Sequence, residues 1–88
     1  MSTALNGAVY IVTGGSRGFG LAIAKDLVEH GARVGLISRN EAALEKAVAQ
    51  IGTDHAVGVP GDVGSQASIT AAFKAIKTHF GQLDGLIN

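Results

Sequence analysis

The chain alternates short apolar runs with segments in which apolar residues return every three or four positions. Ala8 to Thr13 is apolar and β-branched on both faces, as a central parallel strand buried from two sides requires. Residues 14 to 20 interrupt that run with glycine. Leu21, Ala24, Leu27 and Val28 then recur at helical spacing, and Gly31 stands where a helix end takes a C′ glycine. Val34 to Ser38 reads as a second strand. Asn40 is placed to cap a second helix, striped by Leu44, Ala47, Val48 and Ile51 and closed by Gly52. Ala56 to Val59 predicts a short third strand ended by a Pro60-Gly61 turn. Ser65 caps a third helix, whose stripe of Ile69, Ala72, Phe73, Ile76 and Phe80 runs to Gly81. Leu83 to Ile87 begins a fourth apolar run.

The order β-α-β-α-β-α-β, with connections of a few residues, predicts an α/β fold: a Rossmann-like, doubly wound parallel sheet with right-handed crossovers. The expected strand order is 3-2-1-4, with the switch point between strands 1 and 4. Helices 1 and 2 should cover one face and helix 3 the other. Strand 4 would then be an uncovered edge beside a partly bare face, so the fold is expected to be incomplete at the C-terminus and, if it folds alone, to self-associate there.

Composition adds limits. With 88 residues there is room for one small domain, and 47% hydrophobic against 16% charged residues is the balance of a folded globule. Seven basic residues offset seven acidic ones, which gives no footprint for nucleic acid or an anionic membrane. Cysteine is absent, so disulfides and thiolate metal sites are excluded. His30, His55 and His79 show no ligand spacing, and no metal is expected. Met1 to Asn6 lacks the basic and apolar regions of a secretory leader, and the longest apolar run is about five residues against the ~20 of a membrane span. A soluble, cytoplasmic protein is the expectation.

The 13 glycines are the outlier, and their densest group is Thr13-Gly14-Gly15-Ser16-Arg17-Gly18-Phe19-Gly20, between strand 1 and helix 1. Three of them answer separate needs. Gly14 permits the turn as the strand ends, Gly18 lets a pyrophosphate approach the backbone, and Gly20 lets helix and strand pack closely. The first-turn N–H groups have no intrahelical partners, and the helix dipole favours an anion beside them. The same residues would also serve a plain strand-to-helix turn, but their placement after the first buried strand favours a dinucleotide. Their spacing is Gly-x-x-x-Gly-x-Gly, not the commoner Gly-x-Gly-x-x-Gly.

With this spacing the chain resembles the short-chain dehydrogenases/reductases, whose cofactor motif Thr13-Gly14-x-x-x-Gly18-x-Gly20 matches in full. The resemblance continues through Gly61-Asp62-Val63 and through Leu83-Asp84-Gly85-Leu86-Ile87-Asn88, which looks like the start of the family's strand-4 motif. It implies that residues 1–88 are the N-terminal part of a single NAD(P)-binding domain. It also implies that Asp62 receives the adenine amino group while the Val63 backbone frames the ring, and that Asn88 belongs to the cofactor site. The plainer reading of Asp62, as the start of the turn into helix 3, is the less favoured one. Ser16 is a candidate donor to the phosphates. Phe19 either packs beside the cofactor or anchors the loop.

The end of strand 2 separates the two nicotinamide cofactors. A carboxylate there accepts from the adenosine ribose hydroxyls and repels a 2′-phosphate. This chain has Ser38-Arg39-Asn40 and no carboxylate, and Arg39 offers a permanent charge with a planar fork of donors. Arg17 could reach the same phosphate from the loop. NADP(H) is therefore expected over NAD(H).

Hydride transfer of the family's kind also needs a tyrosine with a lysine four residues on, and a serine. The single tyrosine is Tyr10, inside strand 1, with Gly14 four residues beyond it. No catalytic residue is assigned. The sequence thus predicts the cofactor-binding portion of an oxidoreductase acting on a carbonyl or alcohol, with a non-catalytic nucleotide-binding module as the alternative.

Overall fold

The computed structural model describes residues 5–16 and 18–88. Four strands and three helices alternate: β1 (Val9–Thr13), α1 (Gly18–Glu29), β2 (Arg33–Ser38), α2 (Glu41–Ile51), β3 (Ala56–Pro60), α3 (Gln66–Phe80) and β4 (Gly85–Ile87). The strands form one parallel sheet in the order β3-β2-β1-β4, the order expected of the doubly wound arrangement. No helix among the described residues is long and apolar enough to cross a membrane.

The helix ends follow from single residues. Asn40 accepts the Ala43 N–H at 3.0 Å and Ser65 accepts the Ser68 N–H at 3.3 Å, each relieving an orphan donor of the first turn. After α1, Gly31 takes φ +98°, its N–H bonds to the Val28 carbonyl and the Ala32 N–H reaches back to Leu27. That paired closure needs a left-handed residue at Gly31. One boundary differs from expectation: Pro60 ends β3 instead of opening a turn. β3 is an edge strand, and proline is tolerated where no ladder bond needs its N–H.

Two apolar layers sandwich the sheet. Val12, Val34 and Leu36 pack with Ala24, Leu44 and Ala47 from α1 and α2. Val9, Ile11 and Ile37 pack with Ala72 and Ile76 from α3. The fully buried Leu36 and Ile76 each contribute about 1.5–3 kcal/mol from the removal of their side chains from water. Ile76 fits because residue 35 is glycine: a Cβ there would stand 2.6 Å from Ile76 Cδ1. Beyond α3 that face is thinly covered, and Leu86 on β4 remains 48% exposed.

At the amino ends of the strands the chain is tied by polar contacts. The Asp84 N–H donates to the Val9 carbonyl at 2.8 Å, and the Val9 N–H donates to Asp84 Oδ2 at 2.8 Å. Gln82 Nε2 bridges Asp84 Oδ2 (2.7 Å) and the Gly7 carbonyl (2.9 Å). Arg33 also donates to that carbonyl and lies 5.1 Å above the Phe80 ring. The Val9 and Gln82 donors, in that order, hold the Asp84 carboxyl below its ordinary range. Slight desolvation opposes them and the Arg33 charge assists.

Candidate functional site

The opposite, carboxyl ends of the strands open into a cleft of about 320 Å3, lined by Thr13, Gly14, Ile37, Ser38, Arg39, Gly61, Val63 and Asn88. Parallel topology brings these together, since every strand delivers its last residue to the same side. Crevices outside the carboxyl ends of such sheets are where doubly wound folds take ligands.

The glycine loop forms one wall. Gly14 has φ +69° and donates its N–H to the Ile37 carbonyl at 2.9 Å, which locks the loop to the end of β2. Gly18, with φ +61°, opens α1, and nothing stands within 4 Å of where its Cβ would be. The first turn of α1 carries no acidic side chain. Among the described residues its first-turn N–H groups therefore meet no acidic side chain of their own turn, an arrangement suited to an external anion. Gly20 serves packing: a Cβ there would run into the Gly14 carbonyl and stand 2.8 Å from Gly15 Cα. Gly15, to which the motif spacing gives no role, is buried against Leu36, whose Cδ2 would have to shift from 2.8 Å to admit a Cβ.

Ser38 joins the loop to β2. Its Oγ accepts from Ser16 Oγ at 3.2 Å and from the Asn40 N–H at 3.2 Å. The Asn40 N–H and the Ser16 hydroxyl together leave part of the Ser38 hydroxyl's hydrogen-bonding capacity open toward the cleft. Ser16 is thus directed to Ser38. Arg39 is exposed at the cleft and makes no ion pair among the described residues. Arg17 lies outside the described residues. Phe19 is 89% exposed, so it does not anchor the loop to the core.

The turn after β3 supplies the far wall. The half-buried Asp62 accepts the Gly64 N–H on Oδ1 at 2.9 Å, and the exposed Val63 lines the cleft beside it. Thr13 Oγ1 donates to Asn88 Oδ1 at 2.8 Å, coupling the ends of β1 and β4. The cleft thus gathers Gly14, Ser38, Arg39, Val63 and Asn88, with Ser16 and Asp62 one contact away; Gly18, Phe19 and Gly20 stand at the start of α1. Tyr10 lies half-buried with its ring against Gly85, away from the cleft. No three potential metal ligands cluster among the described residues.

Ser68 is a residue that the sequence pattern does not single out. Its Oγ accepts the Asp62 N–H at 2.8 Å from the first turn of α3. The available signal is its place three residues after the capping Ser65, where a polar side chain can reach back to the preceding loop.

A family model described as short chain dehydrogenase matches residues 8–88. The 2-(S)-hydroxypropyl-CoM dehydrogenase 3 of Xanthobacter autotrophicus is 40% identical over the whole of this chain, which covers 35% of that protein. Among solved structures, a 3-ketoacyl-(acyl-carrier-protein) reductase from Brucella melitensis complexed with NADH superposes with a TM-score of 0.89 at 36% identity, covering 94% of this chain and 34% of its own. The C-domain of a bacterial malonyl-CoA reductase with NADP matches with a TM-score of 0.89 at 30% identity, covering 96% of this chain and 14% of its own. The chain spans about a third of the length of the curated relatives it matches.

Proposed function

The chain belongs to the short-chain dehydrogenase family, and on that premise we propose that it forms the NADP(H)-binding, N-terminal portion of an oxidoreductase acting on a carbonyl or alcohol. The observation that carries this reading is the end of β2. Ser38 and Arg39 line the same cleft as the glycine loop, with no carboxylate among its lining residues.

The residues present fit such a cofactor. Gly18 leaves open space where a pyrophosphate must approach the backbone. The Ser38 hydroxyl lines the cleft and can donate to a phosphate oxygen, and Arg39 supplies a planar cation at the rim. In this reading Asp62 and Val63 would take the adenine ring, supported by Val63 lining the cleft beside Asp62, and Asn88 lines the cleft at β4. When bound, the nicotinamide supplies or accepts the hydride. The side chains that would polarise a carbonyl are not in this chain: Tyr10 has no lysine four residues on and lies away from the cleft. Binding and orienting the cofactor is therefore the task assigned to these residues.

Fluorescence titration with NADPH and NADH tests the reading. NADPH should bind more tightly, and Arg39→Asp should weaken NADPH by about 10–100-fold, the range of a charge-assisted contact replaced by repulsion. Equal affinities in the wild type would sink the preference.

A further inference from the structure

We propose that Ser68 is a positioning residue that, through Asp62, makes the adenine end of this site selective for a 6-aminopurine over a 6-oxopurine. The inference rests on the dinucleotide-binding reading above and deepens it.

The turn between β3 and α3 uses up nearly all the polar groups of Asp62. Its N–H goes to Ser68 Oγ at 2.8 Å, its carbonyl accepts the Ser65 N–H at 2.9 Å, and its Oδ1 accepts the Gly64 N–H at 2.9 Å. Among the described residues Oδ2 is the one polar atom of Asp62 left without a partner. A carboxylate whose backbone and first oxygen are fixed can present the second oxygen in only a narrow range of directions. That oxygen is purely an acceptor when ionised. It matches an exocyclic amino group and repels the lone pairs of an exocyclic oxygen.

Ser68 is the member of this network that does not belong to the turn. It sits in the first turn of α3, where its own N–H is held by Ser65 Oγ at 3.3 Å. Its hydroxyl faces Gly61, where a Cβ would lie 3.6 Å from Ser68 Oγ. The turn is thereby referred to a helix anchored in the core by Ala72 and Ile76. Without that hydroxyl, the local bonds to Gly64 and Ser65 remain, but nothing ties Asp62 to the helix body.

The test compares NADPH with its hypoxanthine analogue by fluorescence titration on this chain. The wild type should favour the adenine form by about tenfold, the value of one charge-assisted hydrogen bond. Ser68→Ala should cut that ratio to about threefold or less, and Ser68→Thr, which keeps the hydroxyl, should restore it. On an Asp62→Ala background, Ser68→Ala should change the ratio no further, because the two residues act as one unit. If Ser68→Ala does not fold, Ser68→Cys carries the same comparison with a weak acceptor of similar size. A ratio unchanged by these variants, a wild type that does not discriminate, or an equal loss of affinity for both dinucleotides would overturn the inference. A wild type that binds neither dinucleotide would instead overturn the functional reading beneath it.

Discussion

At the carboxyl end of the sheet the strands finish in Thr13, Ser38, Pro60 and Ile87, with the glycine loop beside them, and several hydrogen-bonding groups there have capacity to spare. At the amino end, Arg33, Phe80, Gln82 and Asp84 close on one another and on the Gly7 carbonyl. The two ends share the same strands and apolar layers, so the difference lies in the side chains and loop backbone that each end presents. One end spends its polar groups on the chain itself. The other leaves Ser38, Asp62 Oδ2 and the first turn of α1 with hydrogen-bonding capacity that no partner among the described residues takes up. Stability and binding are thus assigned to opposite ends, and the assignment can be broken by substitution.

The largest effect is expected at Gly20, the one site where both functions meet. Gly20→Ala puts a methyl against the Gly14 carbonyl and should cost about 1–3 kcal/mol in denaturant unfolding, as overpacking does. It should also abolish NADPH binding, since α1 must move off the loop. A variant that is stable and binds normally would show that this contact is dispensable.

The amino end should behave in the reverse way, with stability altered and binding untouched. Asp84 has a depressed folded pKa, so the unfolded chain takes up its proton more readily. Its contribution is therefore complete above the ordinary value of 3.8 and is lost as pH falls through the lower folded value. Asp84→Asn should lower the melting temperature at neutral pH and flatten the acid limb of a stability-against-pH curve. An unchanged acid limb would remove Asp84 from the account. Smaller again, Phe80→Leu should cost about 0.5–1 kcal/mol from the lost contact with the Arg33 guanidinium, with NADPH affinity unchanged.

The contrast also explains what is legible in the chain before it is seen folded. Element order and helix caps can be read because they rest on local rules: Asn40, Ser65, Gly31 and Gly81 each act within a few residues of their own position. The glycine loop can be read because its spacing is short. The amino-end network cannot, because it joins Gly7 to Arg33 and Gln82, and Val9 to Asp84, across separations of 26 and 75 residues that no periodicity records. Ser68 is hidden for a related reason. A serine on a helix looks like any polar residue until the preceding turn is seen to fold back onto it. Pro60 shows the limit of punctuation signals, since the same residue that marks a turn can finish an edge strand.

That edge has a consequence for how the sheet can be extended. His55 and Gly61 bond to β2, so by the alternation of a parallel ladder Ala56, Gly58 and Pro60 aim their main-chain groups outward. Ala56 already gives its N–H to Gly52 and Pro60 has none, which leaves Gly58 as the sole donor along that margin of β3. With a single donor beside its carbonyls, that margin offers an incoming strand fewer ladder bonds than a full edge does. The margin of β3 is in effect a selvedge, finished against fraying by Pro60 and by the bond from Ala56 to Gly52.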